Sequence, residues 1–123
     1  MNSILLDTNI LIYLLEGNPA IRELLEDKKW RISFVNEMEL LIKPALRGKE
    51  LVAIKALLNE CIITEMNFWI KEKAIENGRK YGLKLADSII LATAQTNEVP
   101  LLTADAEFKK AMRDNQEILI FEP

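Results

Sequence analysis

The chain has 123 residues and a net charge of −3, with 50% hydrophobic and 28% charged residues. This length and composition predict one compact domain, residues 1–123, with a substantial core. The sequence has no histidine and one cysteine, which excludes Ser-His triads, Cys-His dyads and zinc sites built from histidines or several thiolates. Carboxylates, hydroxyls, amines and hard metal ions are left to carry any catalysis.

Three features predict a cytoplasmic location. The single cysteine, Cys61, can form no disulfide within the chain, as expected in a reducing compartment. No apolar run is long enough to cross a bilayer. The first residues, Met1-Asn2-Ser3, lack the basic start of a signal peptide, and Asp7 interrupts the apolar stretch that follows.

Short apolar runs alternate with longer helical periods, a pattern typical of an α/β protein with a buried parallel sheet. The predicted strands are residues 4–6, 30–35, 61–64, 101–103 and 117–121. The predicted helices are residues 9–16, a helix opened by Pro19, a helix capped by Asn36 and ended by Pro44, an apolar stripe over 51–58, and residues 67–81, 85–97 and 107–113. Connections that each hold a helix predict right-handed parallel crossovers.

Four acidic residues lie near the ends of the predicted strands. Asp7 ends the first strand, and Asp105 lies just beyond the fourth. Glu39 falls in the first turn after the second strand, and Asp87 begins the most apolar helix. Ligand sites of parallel sheets lie beyond the carboxyl ends of the strands. We therefore expect the four carboxylates to point toward one rim of the sheet.

Each acid also has a purely structural interpretation. Asp7, Asp87 and Asp105 could cap the helices that follow them, and Glu39 has capping-box spacing from Asn36. Four converging carboxylates, however, raise one another's pKa unless a cation neutralises them. Mg²⁺ takes one or two carboxylates together with several waters, so four acids suit one or two such ions. The cluster predicts metal-assisted hydrolysis of a phosphodiester, chemistry that needs no histidine.

Four motifs carry a resemblance to a known family. They are LLDTNILI at 5–12, ISFVNEMELL at 32–41, LADSIILA at 85–92 and PLLTADAEF at 100–108. In these motifs, their order and their spacing, the chain resembles the PIN-domain ribonucleases, and within them the small VapC-like toxins of VapBC-type toxin–antitoxin pairs. The resemblance spans nearly the whole chain.

The resemblance implies a fold and a site. The fold is a three-layer α/β/α sandwich whose five-stranded parallel sheet has the order 3-2-1-4-5. The implied site holds Mg²⁺ or Mn²⁺ (one or two ions) on the catalytic carboxylates of Asp7, Glu39 and Asp87, with Asp105 completing the metal site. Hydroxyl and amide groups expected to orient these carboxylates are Thr8, Asn9 and Thr103. Asn36 stands where the family more usually has Thr or Ser.

The resemblance also implies partners: an RNA substrate, a cognate antitoxin protein and a second copy of the chain in a homodimer. An apolar surface on the helices between Leu40 and Leu58 is a candidate contact, although the same residues could pack on the domain's own core. Two basic groups could touch RNA phosphates or be merely solvated. They are Lys28, Lys29 and Arg31, and then Lys43, Arg47 and Lys49.

Two other functions stay open at this point. A PIN-like domain could have lost turnover and bind RNA or protein only, although none of its four acids is replaced. A response-regulator-type signalling domain has a similar length and an acidic Mg²⁺ pocket. That class needs paired acids after the first strand and a lysine at the end of a late strand, whereas Thr8 and Asn9 follow Asp7 here.

Overall fold

The computed structural model describes residues 2–123. Its five strands form one sheet in the order β3-β2-β1-β4-β5, and every neighbouring pair is parallel. The predicted sheet order and all-parallel pairing are confirmed. The strands are β1 Ser3–Leu6, β2 Lys29–Ser33, β3 Ile62–Thr64, β4 Leu101–Thr103 and β5 Ile118–Ile120.

Six α-helices and one 3₁₀ helix connect these strands within the described residues. They are α1 Thr8–Leu15, α2 Pro19–Leu25, α3 Phe34–Leu41, α4 Gly48–Asn59, α5 Phe68–Tyr81, α6 Leu85–Asn97 and the 3₁₀ helix Ala106–Ala111. The predicted 67–81 helix is confirmed almost to the residue, because Asn67 caps its start and Gly82 ends it at φ 67°. That left-handed conformation is one that glycine adopts without strain.

The central strand β1 contributes to a core on each side of the sheet. Ile4 and Leu6 pack with apolar residues of α1, α2 and α4, whereas Leu5 packs with residues of α6 and the 3₁₀ helix. Successive strand residues point to opposite faces, so a strand buried on both faces is apolar throughout. The predicted three-layer α/β/α sandwich is confirmed, and Asp7 follows directly at the carboxyl end of β1.

Three sequence-based assignments are wrong. The strand predicted at 30–35 ends at Ser33, which caps α3, so Asn36 is the third helical residue and not the cap. Glu39 therefore lies in the second turn of α3 and is not the partner in a capping box. Asp87 caps no helix, because α6 begins at Leu85 after Lys84. Two polar residues, Ser33 and Asn36, could cap the helix after β2, and the first of them, Ser33, does so.

The helix predicted at 107–113 is instead the 3₁₀ helix Ala106–Ala111, which Asp105 caps. The candidate contact surface between Leu40 and Leu58 is divided. Ile54 and Leu58 are buried in the core, whereas Ile42 is 71% exposed. Among residues 2–123, no helix has both the length and the apolar character needed to cross a bilayer.

We expect Leu6→Ala to lower the free energy of unfolding by about 2–5 kcal/mol, because it opens a cavity at a fully buried position of β1, next to Asp7 in the chain. Urea denaturation measures the change. Leu24→Ala is the matched control, since Leu24 is 45% exposed on α2 and its truncation should change the same quantity by less than about 1 kcal/mol. Equal effects of the two substitutions would contradict this account of the core.

Candidate active site

The adjacent central strands β1 and β4 bring together two of the predicted acids. The Asp7 backbone N–H donates to the Leu102 carbonyl at 3.0 Å, so Asp7 lies beside the end of β4. Asp105 follows two residues after that strand ends at Thr103. The acids come from opposite ends of the sequence, and the reversal of strand order at β1 and β4 places them at one rim.

Asp7 carries a nearly buried carboxylate, 5% exposed. The Thr103 hydroxyl donates to its Oδ2 at 2.6 Å, and the Thr8 backbone N–H donates to its Oδ1 at 2.8 Å. Burial raises the pKa of Asp7, and these two hydrogen bonds oppose the rise. The carboxylate also caps α1. The capping interpretation of Asp7 thus describes a real contact, and it does not compete with a role at the rim.

Thr103 connects two of the acids through one hydroxyl. Its Oγ1 donates to Asp7 and accepts the backbone N–H of Asp105 at 3.0 Å. The Asp105 carboxylate caps the 3₁₀ helix by accepting the Glu107 N–H at 2.9 Å. Asn9 contacts the backbone next to Asp105. Its Oδ1 accepts the Ala104 N–H at 3.1 Å and so connects α1 to the turn after β4.

Glu39 reaches the site from α3 and is itself exposed. The Thr8 hydroxyl donates to Glu39 Oε1 at 2.5 Å, so Thr8 joins the start of α1 to the middle of α3. Fixing a long glutamate side chain in one place loses rotamer entropy, and this charge-assisted bond offsets that loss.

Asp87 lies in the first turn of α6 and is half-buried. Burial and then the charges of Asp7, Asp105 and Glu39 raise its pKa to about 6, while the Lys84 ammonium partly opposes the rise. The four acids predicted from sequence therefore lie close enough to interact electrostatically. A carboxyl group whose pKa is strongly raised by burial and by neighbouring acids is a recognised feature of functional sites.

The sequence predicts only a capping role for Asn36, yet its amide lies within this site. Asn36 is fully buried on α3, and its Nδ2 lies 3.0 Å from Thr8 Oγ1 and 3.5 Å from Asp7 Oδ1. The available signal was an amide side chain four residues before Leu40, which places it on the same face of the helix as that apolar residue. Such a group needs several partners.

The donor set suits a hard divalent cation, because every candidate ligand is an oxygen. Across residues 2–123, no three carboxylates or thiolates are already arranged around one ion position. The four acids are thus near enough for their charges to interact but too far apart for all of them to coordinate one ion. This spacing fits Mg²⁺ or Mn²⁺ held by one or two carboxylates and completed by water.

One cavity lies beside Thr8 and Glu39, and a second lies at the opposite rim of the sheet. The first cavity, of about 390 Å³, lies between α1, α3 and α4, and its lining combines apolar side chains with polar and charged ones, which are Thr8, Glu16, Glu39, Lys43 and Glu50. The larger cavity of about 560 Å³ touches the starts of β4 and β5, at the opposite rim, and is lined by none of the four acids. Lys28 and Lys29 also lie at the start of β2, about 13 Å of strand away from the acids.

The fold and rim define a class: parallel α/β domains that gather acids from distant motifs at the carboxyl ends of their strands. A family profile described as PIN domain matches residues 4–113. The chain belongs to the PIN-domain family, which confirms the resemblance seen in the sequence. Comparison with curated protein sequences gave no match.

Solved structures give the same result for the fold. A toxin–antitoxin complex from Klebsiella pneumoniae contains a chain 30% identical to this one, with a TM-score of 0.81 over 98% of this chain and 99% of that one. VapBC-1 from nontypeable Haemophilus influenzae is 22% identical, with a TM-score of 0.75 over 98% and 96%. DNA-bound VapBC from Salmonella typhimurium is 19% identical, with a TM-score of 0.73 over 98% of each chain.

We expect Asp87→Asn to stabilise the metal-free fold at neutral pH. The pKa of Asp87 is about 6 in the fold and ordinarily 3.8, so the folded state binds the proton more tightly. The free energy of unfolding therefore falls as pH rises between these values. Allowing for solvent screening, the variant should exceed wild type by about 1 kcal/mol at about pH 7 and match it near pH 4. Urea denaturation in EDTA measures both.

Asp114→Asn is the control of opposite sign. Hydrogen bonds from Tyr81 and Lys80 hold the pKa of Asp114 below its ordinary value, so its charge stabilises the fold above that value. Its removal should not stabilise the protein at about pH 7. A less stable Asp87→Asn at that pH would mean that the Asp87 carboxylate is chiefly structural.

Proposed function

We propose that this chain is a metal-dependent endoribonuclease that hydrolyses RNA phosphodiester bonds, with Asp7, Glu39, Asp87 and Asp105 as its catalytic carboxylates. The observation that carries the proposal is the mutual influence of the four acids, which contributes to a raised Asp87 pKa of about 6. A bound divalent cation would neutralise part of their negative charge and so reduce the repulsion among the four carboxylates.

One or two Mg²⁺ or Mn²⁺ ions would be shared among Asp7, Glu39 and Asp87, with Asp105 completing the site, and each ion would be held by one or two of these carboxylates and by water. A bound ion would supply a water of lowered pKa and charge to offset that on the phosphodiester. The chain's own contribution is to keep the ligands ordered. Thr103 and the Thr8 backbone fix Asp7, and the Thr8 hydroxyl fixes Glu39. Asp87, whose pKa is raised to about 6, takes up a proton only slightly below neutral pH when the charge is not offset.

Cations near the rim support an RNA substrate despite the net charge of −3. Lys84 lies close enough to Asp87 to lower its pKa, and Lys43 lines the cavity beside Glu39. Each could contact a backbone phosphate on either side of the acids. Of the two basic groups in the sequence, the one that includes Lys43 is therefore the better candidate for RNA contact.

We further propose that the enzyme is the toxin of a VapBC-type pair. The likeness to the Klebsiella pneumoniae toxin–antitoxin complex, over nearly the whole of both chains, supports this assignment. A cognate antitoxin protein, a homodimer and a cytoplasmic location belong to the same proposal. The alternative, a PIN-like binding module without turnover, is a defined outcome of the experiment below.

Thermal melts with and without millimolar Mn²⁺ test the site without knowledge of the RNA. A ligand that binds only the folded state raises its apparent stability by mass action. We expect Mn²⁺ to raise the wild-type Tm by about 5 °C and to leave the Asp87→Asn Tm unchanged. Asp114→Asn should respond like wild type, because Asp114 pairs with Lys80 and Tyr81 away from the rim.

If Mn²⁺ shifts only proteins that retain Asp87, a search for the RNA substrate is justified, using a mixed RNA pool with Asp87→Asn as the inactive reference. If Mn²⁺ shifts no protein, the binding-module alternative replaces the nuclease. If it shifts Asp87→Asn as well, the ion binds at some other place and the proposed ligand set is wrong.

We expect Thr103→Val to weaken Mn²⁺ binding about 10- to 100-fold, the range typical when a group that orients a ligand is lost. The substitution keeps the side-chain shape and removes the donor to Asp7 Oδ2. Thr93→Val is the matched control, because Thr93 is equally buried but its hydroxyl donates only to the Ile89 carbonyl of its own helix. Calorimetric titration with Mn²⁺ compares them, and equal affinities would remove Thr103 from the site.

A further inference from the structure

We propose that Asn36 is a positioning residue, which fixes the direction of a hydrogen-bonded chain that runs from the Ser33 backbone through Thr8 to the Glu39 carboxylate. The inference rests on the proposed function, since Glu39 is among the residues proposed to hold the ion. It concerns a side chain that the sequence analysis treated only as a helix cap.

The orientation of the Asn36 amide follows from its surroundings. Its Oδ1 accepts the Ser33 backbone N–H at 2.9 Å, a donor at the start of α3 that has to be satisfied. The amide NH₂ then faces the rim, with Nδ2 at 3.0 Å from Thr8 Oγ1 and 3.5 Å from Asp7 Oδ1. The opposite orientation would place an amide oxygen against the Asp7 carboxylate, and neither group could donate.

This orientation determines what the Thr8 hydroxyl does. An amide NH₂ only donates, so Thr8 Oγ1 accepts from Asn36 and its single proton is left for Glu39 Oε1, 2.5 Å away. A hydroxyl at position 36 could either donate or accept, and the direction of the chain would not be fixed. The amide at this position thus enforces a donor toward Glu39.

A donor matters at Glu39 because the side chain is exposed and the neighbouring acids repel it. Asp7 and Asp87 both experience the Glu39 charge. Without the Thr8 bond, repulsion and rotamer entropy would favour a Glu39 side chain turned toward solvent. Asn36 therefore acts on Glu39 through Thr8, and the partial positive charge of its NH₂ also faces Asp7.

A double-mutant cycle of Asn36→Ala and Thr8→Val tests this chain, with the Mn²⁺ dissociation constant from calorimetry and metal-free stability from urea denaturation as readouts. Each single variant should weaken Mn²⁺ binding about tenfold, and the double variant should be no weaker than the weaker single. Asn36→Thr keeps a polar group and should recover part of the affinity. It also replaces Asn36→Ala in the cycle if the alanine variant does not fold.

Asn115→Ala is the matched control for loss of a carboxamide. Asn115 also accepts one hydrogen bond, from Gln95, and donates two, to Tyr81 and the Ala111 carbonyl, but it precedes β5 at the opposite rim. Its loss should lower stability and leave Mn²⁺ affinity unchanged, and its effects should add to those of Thr8→Val.

The outcomes separate this inference from the function on which it rests. If wild type binds Mn²⁺ and Asn36→Ala retains its affinity to within about twofold, Asn36 serves only as part of the helix cap and the inference is overturned. Additive losses with Thr8→Val overturn it as well. If wild type binds no Mn²⁺, the proposed function fails, and the positioning role fails with it.

Discussion

The hydrogen bond from the Thr103 hydroxyl to the Asp7 carboxylate joins side chains 96 positions apart in the sequence and holds the only buried acid among residues 2–123. Burial of that carboxylate is tolerated because backbone and hydroxyl donors surround it. This bond is possible because β1 pairs with β4, which places Asp7, just after β1, beside Thr103 at the end of β4. The other acids then take positions defined by this pair, from α3, from α6 and from the turn after β4.

Two of the four acids at this rim, Asp7 and Asp105, both cap a helix and belong to the proposed site. Asp7 begins α1 and Asp105 begins the 3₁₀ helix, so both carboxylates satisfy backbone donors while part of each faces the other acids. Helix N-termini also favour negative charge, which lets the fold place acids together that would otherwise separate. Asp87 caps nothing. Burial and then the charges of the other three acids raise its pKa to about 6.

The parallel pairing and the long helices were predictable from the sequence, because apolar runs such as Leu5-Leu6 and the Asn67 and Gly82 signals are local. The order of the strands was expected only from the resemblance to PIN domains, since contacts between distant residues decide which strands are neighbours. The position where β2 ends was not predictable from the sequence. Ser33 and Asn36 are both good helix caps, and Ser33 is set at the end of the strand by its pairing with Thr64 of β3, a contact between distant residues. The role of Asn36 beside Thr8 and Asp7 followed from that same shift and escaped prediction with it.

The span between Asp7 and Thr103 also affects how the protein is made. During synthesis Asp7 emerges from the ribosome 96 residues before Thr103, the hydroxyl donor that follows in the neighbouring strand β4. Until β4 is made, β1 lacks one of its two neighbouring strands and the Asp7 carboxylate lacks the Thr103 hydroxyl donor. A nascent chain thus carries three of the four acids without the strand that gathers them. The rim of four acids therefore forms only after β4 and the turn that follows it have been made.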